Sequence, residues 1–476
     1  GFEGHEDLYS HGTFAFDLPG DETRAFVYAS LERVENFGAA HAEALELGET
    51  ARRNDRAARA ARSRTTGPRS GGGAGTATAP ALDRWSETFA TRLAEAAEQF
   101  IATRGDGRKT VIAGYHWFAD WGRDTFIALP GLAMATGRWP LPHEILKTFA
   151  EFVDGGMIPN RFPEAGTAPE YNTVDAALWF VECSRRYFAE SGDLDFARRE
   201  LLPCIRQILE NYSGGTRYGI HQDPADGLIA AGEPGVALTW MDAVVDGVPV
   251  TPRHGKPVEI NALWYNALLA AADIADALGE CADAEAWRAD ARRVRASFND
   301  RFVNRETAWL YDVIDGPDGD DAACRPNQLF AISLHHAVLD EPFRRDVVSA
   351  VEARLLTPIG LRTLDPSDPN YRPRCEGSPR DRDGAYHNGT VWPWLLGPFS
   401  SAYLKACGRT PETLDRIRSV IAPLSRHLGT EGCLGQISEI ADGDPPYTPR
   451  GAVAQAWSVA EIARVLLEDL REVPPS

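Results

Sequence analysis

Beyond residue 82 the chain repeats one rhythm. Apolar residues recur at helical spacing in about twelve segments, and the connections between those segments alternate between long and very short. The segments run roughly 83–104, 122–137, 142–154, 172–191, 193–212, 257–279, 283–303, 326–336, 340–355, 389–407, 411–428 and 451–469. From an odd-numbered segment to the next even one the chain takes roughly 16 to 43 residues, and from even to odd about 1 to 4. Tight turns therefore gather at one end of the helices and long loops at the other. A ring of six helical hairpins meets that constraint, so the rhythm predicts an all-α fold, an (α/α)6 barrel with the even segments inside; an irregular helical domain is the alternative. The even segments WGRDTFIALPGLAM, VDAALWFVECSRRYF and NGTVWPWLLGPF are richer in aromatic and small residues than 283–303 or 411–428, as inner helices must be.

Two stretches precede this region. Residues 11–30, HGTFAFDLPGDETRAFVYAS, alternate apolar and polar around a Pro-Gly-Asp turn, which predicts a hairpin, and 1–50 is read as a short β-rich remnant ending a larger N-terminal β-domain. Residues 51–82 combine an Arg-rich segment with TGPRSGGGAGTATAP, the composition of a flexible linker. The barrel is assigned to 83–470.

Charge and cysteine usage remove several classes of function. Asp and Glu number 69 against 49 Lys and Arg, a formal net charge of −20, so nucleic acid and anionic membrane surfaces are excluded as expected partners. No stretch approaches the roughly 18 to 20 apolar residues that span a bilayer, and a soluble protein is expected. The seven cysteines are scattered and never spaced as CxxC, so neither a disulfide framework nor a zinc knuckle is indicated; a reducing compartment, the cytoplasm, is expected.

Long loops at one end would form a single rim, where a site belongs. Six segments run from long loops into even helices: HWFADWGRDTF (116–126), PEYNTVDAALWF (169–180), EINALWYNAL (259–268), RPNQLF (325–330), YHNGTVWPW (386–394) and RGAVAQAWS (450–458). For a single residue such as Asn172 or Asp124 a helix cap is the simplest role. Trp117, Trp121, Trp240, Trp264, Trp392, Trp394 and Trp457 interleaved with Asp, Asn, Arg and His at one rim suit a sugar instead, whose C–H face stacks and whose hydroxyls need paired donors and acceptors. The longest loops add carboxylates, Asp242 in LTWMD and Glu439 in GQISE. Glycoside hydrolysis needs two carboxyl groups, one protonated and one ionised. No rim segment carries a clustered ligand set, so neither metal nor organic cofactor is implied.

The strings GYHWFADWGRD (114–124), IPNRFPE (158–164), PEYNTVDAALWF (169–180), LTWMDA (238–243), GLRTL (360–364), YHNGTVWPW (386–394) and GQISEIADGDPP (435–446) resemble, in order, the glucosidase domain of glycogen debranching enzymes, the amylo-α-1,6-glucosidases. Glucoamylases share a more distant version of the same rim, and EDLYSHGTFAFDL resembles the last strands of the β-domain that precedes this barrel in bacterial and archaeal members. The resemblance implies that Arg123 and Asp124 grip the terminal glucose, that Trp117 stacks on it, and that His387 and Trp392 line its pocket, with Trp121, Tyr171, Asn172 and Trp240 as further contacts. It implies Asp242 as general acid, where glucoamylases carry Glu, and Glu439 as general base.

The expected reaction is inverting exo-hydrolysis of single α-1,6-linked glucosyl residues at branch points of glycogen or a branched malto-oligosaccharide. A trehalase- or glucoamylase-type hydrolase is one alternative, a sugar isomerase using His116 and His387 another, and a glycogen-binding module a third. The bulky neighbours Trp240 and Met241 predict a raised pKa for Asp242, whereas Gln436 and Ser438 predict a lowered one for Glu439.

Overall fold

The structure, a computed structural model, describes residues 84–162 and 168–471. The expected hairpin at 11–30, the remnant 1–50 and the whole of 51–82 lie outside the described residues. Thirteen labelled helices carry the fold: α1 (Arg84–Glu98), α2 (Gly122–Leu132), α3 (Pro140–Ala150), α4 (Ala176–Ser191), α5 (Leu202–Gly214), α6 (Val258–Leu278), α7 (Cys281–Arg301), α8 (Phe330–Ser333), α9 (Glu341–Leu355), α10 (Pro379–Tyr386), α11 (Leu396–Cys407), α12 (Pro411–Thr430) and α13 (Ala456–Arg464). Each of the twelve periodic segments holds one of them. The addition is α10, whose polar sequence PRDRDGAY has no apolar stripe to betray it; its start is set by Ser378, which bonds the Asp381 N–H in a capping box.

The short connections have local chemical causes. Helix α4 stops at Gly192 and α6 at Gly279, both in the left-handed conformation that glycine adopts without Cβ strain. The chain restarts at Asp193, which accepts from the Phe196 N–H, and at α12 through the Thr410 capping box and Pro411.

Packing separates the helices into two sets. Helix α2 packs on α4, α4 on α6, α6 on α8, α8 on α11, α11 on α13, and α13 returns to α2. Every residue of α2 is buried, and so is nearly all of α6. The others lie against that set: α1 on α13 and α2, α3 on α4, α5 and α7 on α6, α9 and α12 on α11. Helix α7 buries only Ala284, Ala291, Val294 and Phe298 and is charged elsewhere.

The long connections carry short antiparallel strands, so the fold is mostly rather than wholly α. Five of them, Leu356–Thr357, Gly360–Arg362, Val391–Trp392, Ile440–Ala441 and Pro449–Arg450, form one sheet in that order. Gly114–Tyr115 pairs with Ala454–Gln455. These pairings tie loops that are far apart in sequence, and they hold the segments before α2, α11 and α13 in mutual register. Among the described residues no helix is long and apolar enough to cross a membrane.

Candidate active site

Arg123 stands in the first turn of α2, a side chain only 2% exposed. A buried guanidinium must be paired. Its Nε donates to both carboxylate oxygens of Asp175 at 2.9 and 2.8 Å, and its Nη1 donates to Asp242 Oδ2 at 2.8 Å. Asp175 occupies the N-cap position of α4 without capping it, because its carboxylate is committed to Arg123. Asp242, on the loop before α6, keeps 32% of its side chain open to solvent, whereas Glu439 and Asp124 are buried. Solvent therefore reaches this cluster beside Asp242.

Glu439 is held from two directions. The Tyr386 hydroxyl donates to Oε1 and the Ala452 N–H donates to Oε2 at 2.7 Å. A Cβ on Gly451 would stand 2.3 Å from Oε2, and its φ is +65°, so glycine is required for this approach. Asp124, beside Arg123, accepts from Gln455 Nε2 at 3.2 Å.

Three carboxyl groups around one guanidinium, with Glu439 acting on two of them, cannot all be ionised cheaply, and the titrations reflect this. Burial pushes Asp124 up to about 8 against the pull of Arg123, with the charges of Asp242 and Glu439 adding to the rise. Burial also pushes Glu439 up to about 7, despite the bonds from Tyr386 and Ala452, and the Asp242 charge raises it further. For Asp242 burial acts in the same sense but loses to Arg123 and His387, and its carboxyl lies below its ordinary value. The order expected from sequence neighbours is thus inverted in the free protein. Gln436 spends its amide on the Ala96 carbonyl at 3.3 Å and Ser438 Oγ has no partner among the described residues, so neither lowers Glu439.

An aromatic layer supports the carboxylates. His387, wholly buried, stacks on Trp392 at 5.1 Å between ring centroids, and its Nε2 is 3.9 Å from Asp242 Oδ1. That separation is too long for a hydrogen bond but close enough for electrostatic influence. Burial lowers the imidazole, against the opposing pull of Asp242. Trp240 is 3% exposed, donates Nε1 to Asn327 at 2.8 Å, and meets His387, Trp392 and Trp394 edge-on, so it braces the layer from behind.

The structure brings Arg123, Asp124, Asp242, Glu439, His387, Trp392 and Trp240 together and sets other candidates further out. Trp117 is 48% exposed and touches Phe118, and Trp121 is half-buried at the start of α2, edge-on to Phe118. Tyr171 donates its hydroxyl to the Phe152 carbonyl at 2.7 Å, and exposed Asn172 accepts from Asn160 at 3.2 Å; neither Asn172 nor Asp124 is a helix cap. His116 is exposed, while His387 is wholly buried and stacked on Trp392.

Asp175, Tyr386, Gln455 and Gly451 are members of the cluster that sequence reasoning did not single out. All four lie inside the rim strings or beside them, which was the signal available. Asp175→Asn is expected to lower stability by about 3 kcal/mol, because a buried guanidinium loses half its compensation, and to lower kcat/KM as Arg123 loosens; thermal denaturation and steady-state kinetics check this.

Residues 95–464 match the family model described as amylo-alpha-1,6-glucosidase. The chain belongs to the amylo-α-1,6-glucosidase family. This makes it a glycoside hydrolase, and the matched span runs from within α1 to the end of α13. A glycogen debranching enzyme of Saccharomyces cerevisiae is 27% identical over 372 residues, an alignment covering 60% of this chain and 24% of the yeast protein. The chain thus matches about a quarter of that relative's length.

Proposed function

We propose that this chain is an exo-acting α-1,6-glucosidase that removes single glucosyl stubs from the branch points of glycogen or branched malto-oligosaccharides with inversion. The observation that carries the reading is the convergence of Asp242 and Glu439, from two different long loops, on the Arg123–Asp124 pair in a chain of this family. The return of the α2-to-α13 contacts on themselves supports a six-hairpin (α/α)6 barrel with this cluster at its long-loop rim.

In this reading Asp242 protonates the bridging oxygen as the C1–O bond breaks. Glu439 takes a proton from a water whose oxygen bonds C1 from the opposite face, and β-glucose leaves. Asp242 ends ionised and Glu439 protonated, so one proton must return between turnovers. Arg123 and Asp124 hold the terminal hydroxyls, with one supplying donors and the other an acceptor. When those hydroxyls take the Nη1 donor of Arg123, Asp242 loses a hydrogen bond that helps to keep it ionised, which favours its protonated form. Trp117 at the exposed edge stacks on the sugar face and His387 with Trp392 forms the floor. The titration order favours one competing reading, in which Glu439 is the acid and Asp242 the base.

Glucose release is expected from a phosphorylase limit dextrin and not from trehalose, with maltose and pullulan poorer; proton NMR should show β-glucose first. Preference for trehalose or linear maltose selects another hydrolase, α-glucose as first product refutes inversion, and binding without turnover leaves only a glycogen-binding module.

A further inference from the structure

A second group of metal-ligating side chains lies far from the rim. Asp273 belongs to α6, fifteen residues and so about 22 Å along the helix from its rim end at Val258. His335 and His336 follow α8 in the turn toward α9. The His336 N–H donates to Asn266 Oδ1 of α6 at 2.9 Å, and His336 Nε2 lies 2.8 Å from Asp273 Oδ2. The two imidazoles are edge-on at 4.6 Å between centroids. One ligand atom from each of the three residues falls within 4.8 Å of the other two. Side chains of Asp273 and His336 are 45% and 22% exposed, so an ion in solution has access.

Among the described residues a second group of this kind, Asp223, Asp226 and Asp315, is already filled. Lys256 Nζ sits among its oxygens at 2.7, 2.7 and 2.8 Å, where a cation would stand. No such ammonium lies among Asp273, His335 and His336. Lys405 is committed to the carbonyls of Leu334 and His335, and Arg185 to Glu182.

We propose that Asp273, His335 and His336 bind one zinc-class divalent ion, which staples α6 to the α8–α9 turn. Two imidazoles and one carboxylate are a borderline-soft set suited to Zn2+ rather than to Mg2+ or Ca2+, with solvent completing a tetrahedron. Donors around such an ion stand about 3.3 Å apart, which small rotations of these exposed side chains reach. His336 presents its Nε2 lone pair once its proton resides on Nδ1, so no group need leave the protein.

The test is titration of the chelator-stripped full chain with Zn2+ by calorimetry and thermal denaturation. One ion per chain, a melting temperature raised by a few degrees and no competition from millimolar Mg2+ are expected, with glucosidase activity little changed because the site is remote from the rim. Asp273→Asn and the double variant His335→Ala, His336→Ala should melt near the wild type without metal, yet bind Zn2+ roughly tenfold or more weakly. Equal affinity in wild type and the double variant, or no saturable binding in the wild type, overturns the assignment whatever the chain's substrate proves to be.

Discussion

Asp242→Asn and Glu439→Gln are each expected to lower turnover of a limit dextrin by about a hundredfold or more, while dextrin binding stays close to wild type, because general acid or base catalysis contributes 10² to 10⁴. The two variants should then part on α-glucosyl fluoride. Fluoride leaves without a proton, so a protein lacking only its acid keeps most of its rate on that substrate, whereas one lacking its base does not. Asp242→Asn is the variant expected to be spared. Sparing of Glu439→Gln instead assigns the acid to Glu439 and exchanges the roles, and full dextrin activity in either variant means the wrong carboxylate has been chosen.

Much of the helical framework was legible because its determinants are local. A glycine that can turn left-handed at 192 or 279, followed within a few residues by a capping Asp or by the next apolar stripe, announces a tight turn without knowledge of the rest of the chain. Helix α10 escaped for the complementary reason. Eight polar residues carry no periodicity, and only Ser378 with Asp381 marked the start. The two-residue strands of the long loops escaped too, since each is too short to alternate and exists only because a partner strand is supplied from elsewhere, as Val391 is by Ala441.

The candidate site was legible as a set of residues and illegible as an electrostatic object. Arg123, Asp124, Asp242 and Glu439 stand in recognisable strings, but what each carboxylate feels comes from across the fold. Asp242 meets a guanidinium 119 positions away in sequence, and Glu439 meets a hydroxyl 53 positions away. Arguments from adjacent residues assigned the shifts to Trp240, Met241, Gln436 and Ser438, and these neighbours point into the core or to other partners. Local sequence predicts the conformation of a loop; the charge environment of a side chain on it belongs to the tertiary fold.

The pH dependence of kcat/KM follows from the inverted titrations. The productive form carries a proton on Asp242 and none on Glu439. In the free protein Glu439, pushed up to about 7, is the group that holds the proton, while Asp242, lowered by Arg123 and His387, has lost it. Both arrangements contain one proton, so their ratio is independent of pH and the productive form is a constant minority share between the two pKa values. Below the lowered pKa of Asp242 both groups become protonated and the rate falls; above about 7 both are ionised and it falls again. The wild-type profile is therefore expected to be a bell whose alkaline midpoint lies near 7 and tracks Glu439, and whose acidic limb tracks Asp242. Removing the acid removes its requirement for a proton, so whatever activity Asp242→Asn retains should rise with pH and level off once Glu439 is ionised, at a lower pH than the wild-type alkaline midpoint because the Asp242 charge that helps to raise Glu439 is gone. Were Glu439 the acid, the same variant would keep its alkaline fall. Asp124, pushed up to about 8, is the remaining group able to set that limb, and Asp124→Asn isolates it: loss of the limb in that variant alone transfers the ionisation to the sugar-binding pair.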